Sequence, residues 1–324
     1  MKKVTLLFAT IVLAFACVVA ASAKGKKYAV LVGINDYINY NGLEGAVPDV
    51  QHMKAVLESK FQFLPANEKM LTDRDATRAN ILAALKTMAA KAGSGDLFVF
   101  HYSGHGTLWL DRKSQVVDET VKTELHVEFP DGGVVDYPLD FYDSAICPVD
   151  SGDFTAGKVW PNLILDDELY DIFSPMAARG VEVVVISDSC HSGSVGKAGA
   201  VKGKIRWVDP LKATKMKSFA DIKTPKGQTK APGKQIKSNY IVLGAAQNNE
   251  FAMDAAGSNQ LGGLFTSTLI DYINSSKTPL TYQRLMDLTK KKVADTSLNS
   301  FNNPQHPSLT GIGTAGGTIF SLPK

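Results

Sequence analysis

Three features of the sequence predict an α/β fold with a central, mostly parallel sheet and helices on both faces. Short apolar runs rich in β-branched residues, such as Val183–Ile186, have the continuous pattern of strands buried on both sides. Stretches with apolar residues at helical spacing lie between those runs, which is the order of a doubly wound sheet. The chain has 324 residues and is 44% hydrophobic and 21% charged, ample material for a large core.

Taken in order, the N-terminus comes first. Lys2 and Lys3 precede the apolar run Val4–Ala21, and Ala21-Ser22-Ala23 is an A-x-A cleavage pattern. Residues 1–23 therefore read as a secretory signal peptide, and the mature chain, 24–324, is expected to be exported to the periplasm or the extracellular space. Cys17 makes lipoprotein processing a minor alternative. No later segment is apolar enough to span a bilayer.

Tyr28–Ile34 is a buried strand, and a polar loop through Asn41-Gly42 follows it. Pro48 opens a helix with Val50, Met53, Val56 and Leu57 on one face. Lys69–Thr72 is a short strand, and Thr77–Ala92 a helix capped by Asp75 or Thr77. Asp96–Tyr102 is the next buried strand. Thr107–Trp160 breaks the rhythm: Glu124–Phe129 and Val134–Tyr137 flank Gly132-Gly133, which suggests an inserted β-hairpin. Asp166–Arg179 is a helix with three acids in its first turn. The strand at Val183–Ile186 follows, then a strand at Tyr240–Ala245, helices at Leu264–Ile273 and Tyr282–Val293, and a terminal strand at Gly317–Leu322.

The formal charge of +3 is too small to argue for nucleic acid as a partner. Its distribution is more telling. Lys197–Lys237 holds twelve Lys and Arg against Asp209 and Asp221, so it carries +10 while the rest of the chain carries −7. That segment reads as a long mobile surface loop, of which roughly 197–237 is the extent.

Chemistry is expected where buried strands end, because open α/β sheets bind ligands outside the carboxyl ends of their strands. The strand at Val183–Ile186 ends in Ser187-Asp188-Ser189-Cys190-His191-Ser192-Gly193, and Asp96–Tyr102 ends in Ser103-Gly104-His105-Gly106. A thiol and an imidazole at two such tips suit a Cys/His nucleophilic enzyme. After signal removal only Cys147 and Cys190 remain, so the competing reading of Cys190 is a Cys147–Cys190 disulfide. His101 and His105 are four apart, but they lie on a strand and its turn rather than a helix, so His101 is expected to be packed, not metal-bound. His191 is a less suitable base than His105, because it cannot readily face its own preceding side chain.

The motifs YAVLVGINDY, LEGAVPDV, LTDRDAT, FHYSGHG, ICPVD, LDDEL, DSCHSG, GGLFT and Gln305-His306-Pro307 occur in one order along nearly all of the mature chain. In these the chain resembles the metacaspases, caspase-like cysteine peptidases, in a bacterial-type, secreted form. The resemblance implies a caspase-like three-layer sandwich. It implies peptide-bond hydrolysis with Cys190 as nucleophile, His105 as acid and base, and the Cys190 and Gly106 N–H groups holding the oxyanion. The first substrate pocket maps to Asp49, Ser103 and Asp188, whose carboxylates would pair with an Arg or Lys side chain of a protein or peptide substrate. Ala46 stands where the family has a cysteine. The nucleophile motif is DSCHSG, not QACRG, and His105 lies 85 residues upstream, which points away from aspartate-specific caspases.

The chemistry itself requires no cofactor. Many metacaspases need calcium, and Asp166 and Asp167 match two of its carboxylates, with Asp140, Asp143 and Asp150 as further oxygen donors. Lys197, however, stands where the family places an acid. A lysine-rich segment just after the catalytic turn is also a natural target for self-cleavage. The rival readings are a non-catalytic secreted binding module of the same fold and an acyl transferase using the same Cys/His pair.

Overall fold

The computed structural model describes residues 25–110, 124–128, 134–138, 142–152, 162–190, 203–209, 239–247, 250–255, 262–311 and 317–322. The expected leader, His191 and most of the basic segment lie outside these residues. The first half contains β1 (Lys27–Gly33), α1 (Ala46–Phe61), β2 (Glu68–Thr72), α2 (Arg78–Lys91), β3 (Leu97–Ser103), β4 (Gly106–Leu110), β5 (Glu124–Glu128), β6 (Val134–Pro138), β7 (Tyr142–Ile146) and β8 (Ile164–Leu165). The second contains α3 (Asp166–Ala178), β9 (Glu182–Asp188), β10 (Lys204–Ile205), β11 (Ile241–Gly244), β12 (Met253–Asp254), α4 (Leu264–Ser275), α5 (Tyr282–Thr296) and β13 (Ser308–Thr310).

The central sheet has the order β13-β11-β9-β3-β1-β2. All its pairings are parallel except that of β13, which runs antiparallel to β11 at the edge. Side chains alternate across it with the period of a strand. Ala29, Leu31, Val99 and Ile186 join one apolar cluster with Met53 and Leu57 of α1, Phe265 and Leu269 of α4, and Leu285 of α5. Tyr28, Val30, Val32, Phe98 and Phe100 join the opposite cluster with Ile81 and Leu85 of α2 and Phe173 and Met176 of α3. The result is the α/β sandwich that continuous apolar strands demand, since only helices on both faces keep such strands from water. Each large side chain so buried contributes about 1.5–3 kcal/mol.

Local signals explain the start of α2. The Thr77 hydroxyl accepts the Asn80 N–H at 3.2 Å and caps α2, while Asp150 accepts the N–H of Arg78 at 2.8 Å. Between β4 and α3, β4 pairs with β7 and β7 with β8, and β5 pairs antiparallel with β6. One expected element differs. Residues 317–322 are not a sheet strand; Thr318 makes a lone bridge to Thr281, and Ile319 and Phe320 bury themselves in the core. Ser308–Thr310, polar and short, takes the edge instead, where a strand needs partners on one side only.

The register brings the two motif-bearing tips side by side. Ser103 at the end of β3 is the partner of Asp188 at the end of β9, and Gly33 flanks Ser103 on the other side.

Candidate active site

The turns after β3 and β9 press against each other. A Cβ on Gly106 would lie 1.9 Å from the Cys190 carbonyl oxygen, so only glycine fits there. His105 is almost fully buried between two rings, with Tyr37 at 4.7 Å and Tyr40 edge-on at 6.2 Å between centroids. Its backbone N–H donates to the Tyr37 hydroxyl at 2.7 Å, and the Tyr102 hydroxyl donates to its carbonyl at 2.7 Å. Its Nε2 donates to the Asn41 carbonyl at 2.8 Å. A carbonyl can only accept, so Nε2 carries the ring proton and Nδ1 keeps its lone pair. Nδ1 is buried and has no hydrogen-bond partner among the described residues. The imidazole is thus fixed in tautomer by a backbone carbonyl, with Nδ1 as its free acceptor.

The Cys190 sulfur accepts the Ala252 N–H at 3.0 Å. Cys190 and Cys147 are both free and buried, so the disulfide reading does not hold. Burial pushes the Cys190 thiol up to about 12 and pulls the His105 imidazolium down to about 4. Both groups are therefore neutral at pH 7 in this closed arrangement.

What closes it is the chain itself. Of the basic segment expected at the surface, residues 203–209 are described, and they lie inward across the two turns. Lys204–Ile205 pairs antiparallel with Met253–Asp254, and the Arg206 N–H donates to the Ala252 carbonyl at 3.0 Å. The Arg206 carbonyl accepts the N–H of Gly106 at 3.0 Å and that of Cys190 at 3.3 Å. Beyond it the Val208 N–H donates to the Gly106 carbonyl at 3.0 Å, and the Thr107 hydroxyl to the Val208 carbonyl at 2.8 Å. Burial of this stretch has a plain cause: a guanidinium meets a ready set of buried carboxylates.

The Arg206 side chain is fully buried. Its Nη2 donates to Asp49 at 2.8 Å and to Asp254 at 3.0 Å. Its Nη1 donates to the Ser103 hydroxyl at 2.6 Å and the Asp188 carbonyl at 3.1 Å, and lies 3.1 Å from the Asp188 carboxylate. The acids are held in turn by backbone N–H groups at helix starts. Asp254 accepts from Glu44 and Gly45 ahead of α1, Asp188 from Thr266 in the first turn of α4, and Asp49 from Gly263, the α4 N-cap. Burial pushes Asp49 up to about 7 against the pull of Arg206. Burial also works to raise Asp254, but Arg206 and the two N–H groups hold it below the usual range. Gly262 and Gly263 form the wall: a Cβ on Gly263 would lie 2.5 Å from Arg206 Nη2.

The structure therefore gathers Asp49, Ser103, His105, Gly106, Asp188 and Cys190 around one backbone carbonyl and one guanidinium. His101 is packed in the core, its Nε2 at 3.4 Å from the Thr266 hydroxyl, and burial pulls its imidazolium down to about 3. Asp166 and Asp167 open α3, with the Asp167 N–H on the Asp166 carboxylate at 2.9 Å. Asp150 is taken up by Arg78 and Asn162. Among the described residues no three metal-ligating side chains cluster. Asp140 and the Asp143 side chain lie outside them.

Sequence reasoning missed Arg206, Asp254, Asn41 and Gly263. Arg206 did leave a trace: it is the single arginine among eleven lysines of the basic segment, set between Ile205 and the pair Trp207-Val208.

The fold and site together define an α/β protein with a thiol and an imidazole at adjoining strand tips. A family model described as Peptidase C14, Caspase domain, matches residues 26–313, and the chain belongs to that family. It is similar to Metacaspase-9 of Arabidopsis thaliana, 35% identical over 177 residues that cover 52% of this chain and 44% of that protein. It is similar to Metacaspase-1 of Schizosaccharomyces pombe, 26% identical over 299 residues that cover 87% of this chain and 58% of that protein. A crystal structure of caspase-1 from Spodoptera frugiperda shares the fold, with a TM-score of 0.51 at 12% identity, over 90% of this chain and 88% of that one. The chain spans about half the length of the curated relatives it matches.

Proposed function

We propose that this protein is a cysteine endopeptidase that cuts after arginine and, less well, lysine, and that it processes itself at the Arg206–Trp207 bond. One observation carries the reading. Arg206 sits as a substrate residue would, with its side chain on three buried carboxylates and its carbonyl on the N–H groups of Gly106 and Cys190.

In this reading His105 Nδ1 takes the thiol proton and the Cys190 sulfur attacks the arginine carbonyl. The two N–H groups carry the oxyanion, and the imidazolium then protonates the departing amine to leave a thioester. Water activated by Nδ1 hydrolyses the thioester and restores the thiol. The pocket favours arginine because both terminal nitrogens of the fork are engaged, which a single ammonium cannot match. Turnover in the resting chain is slow, because burial disfavours the thiolate–imidazolium pair that attacks. The leader makes the enzyme an exported one.

The test is mass spectrometry of the purified full chain beside its Cys190→Ala variant. A fragment beginning at Trp207 that is absent from the variant is expected. The same fragment from the variant assigns the cut to another protease and refutes self-processing. Peptides ending in Arg, Lys and Asp before a fluorophore test the pocket, and preferential cleavage after Asp overturns it.

A further inference from the structure

The residues after Arg206 are held as firmly as those before it, by contacts that the pocket acids do not explain. We infer that the Gly106–Leu108 edge is a prime-side subsite that selects substrates with a large apolar residue directly after the cut arginine and an aliphatic residue next. This rests on the endopeptidase reading above.

Trp207 bridges Gly106 in parallel register, so the segment runs alongside β4 as an added strand. Hydrogen bonds between Val208 and Gly106, and from Thr107 to Val208, fix the backbone and would accept any sequence. Side-chain burial supplies the selection. Trp207 is 6% exposed and joins the apolar cluster that holds Leu108 and Phe251. Val208 is 7% exposed and joins the cluster on the other face of the sheet. Successive side chains thus enter different apolar clusters, as an extended strand requires. A charged residue at either position would be buried with no partner provided. The Trp207 Nε1 is itself buried and has no hydrogen-bond partner among the described residues. The subsite therefore asks for an apolar ring rather than an indole, and phenylalanine should serve at least as well as tryptophan.

The experiment uses the full chain with Arg206→Ala and Trp207→Ala, whose own segment presents neither the guanidinium nor the ring, checked for native circular dichroism. Internally quenched peptides Lys-Ile-Arg-X-Val are compared with X as Phe, Trp, Ala and Glu. The expected order of kcat/KM is Phe equal to or above Trp, then Ala lower by on the order of ten-fold, then Glu lower again. Equal cleavage of all four overturns the subsite and leaves the endopeptidase reading intact. Should no peptide be cut, the endopeptidase reading fails, and protection of Cys190 from iodoacetamide by the same peptides still decides the subsite. Protection by Phe above Glu supports it, and equal protection overturns it. If the double variant does not fold, self-cleavage rates of Trp207→Phe, Trp207→Ala and Trp207→Glu in the full chain read the same order, and a Glu variant cut as fast as the Phe variant overturns it.

Discussion

Arg206→Ala puts the greatest strain on this account of the site. The guanidinium stands 2.8 Å from Asp49, 3.0 Å from Asp254 and 3.1 Å from Asp188, and all three acids are buried. Removing one partner of a buried ion pair costs about 3–5 kcal/mol, because the remaining charge is stranded. A domain of ordinary stability has about 5–15 kcal/mol in all, so the variant should fold but melt roughly 6–20 °C lower at pH 7.5. Agmatine carries the same guanidinium without the backbone and should bind the vacated pocket. At a hundred times its dissociation constant it would restore about 2.7 kcal/mol. The variant should also recover stability on acidification, since protonation removes the stranded charges. The assay is thermal unfolding at pH 5.5 and 7.5 with and without agmatine, alongside iodoacetamide labelling of Cys190, which should be faster in the variant. A melting point within a degree of wild type, with no agmatine response, would refute the charge argument.

Three further outcomes test other parts of the site. Asp254→Asn removes one charge-assisted bond to the arginine, so kcat/KM on arginine peptides should fall by about 10- to 100-fold, with a smaller change on uncharged analogues. Gly263→Ala places a methyl 2.5 Å from Arg206 Nη2 and 2.6 Å from Asp188 Oδ2 while its backbone angle suits alanine, so arginine peptides should lose binding and KM should rise. His105→Gln tests burial of the imidazole. In the wild type the folded imidazole titrates near 4 and the unfolded one near 6.5, so the unfolded chain binds more protons between those values and wild-type stability is lost as pH falls through them. The stability difference between wild type and variant should therefore shrink by up to about 3 kcal/mol from pH 6.5 to pH 4 in urea titrations. A constant difference would mean that His105 is exposed.

Much of the site could be read in the chain because its residues lie at strand ends, and strand ends are local features. Cys190 and His105 each follow an apolar run and sit among small polar and glycine residues, a pattern complete within about ten positions. Asp188 and Ser103 come with them as the last residues of β9 and β3. The basic segment shows where that reading fails. Its charge and turn-forming residues argue for solvent, and that inference is sound for a chain considered alone. Arg206 escapes it because its partners come from elsewhere, Asp49 from α1 and Asp254 from β12. Asn41 was illegible for a different reason: it acts through a backbone carbonyl, which every residue type possesses.

The sequence by itself determined the parallel sheet, its covering helices and the two turns that carry sulfur and imidazole. Those follow from the periods of apolar residues and from glycines that local sterics demand. Only the tertiary structure decided what fills the space between the turns. A single guanidinium settles where three carboxylates, brought in by an early helix, a central strand tip and a late short strand, converge out of water. Charge pairing is long-ranged along the chain and short-ranged in space, so that choice exists only once the fold has brought those acids together.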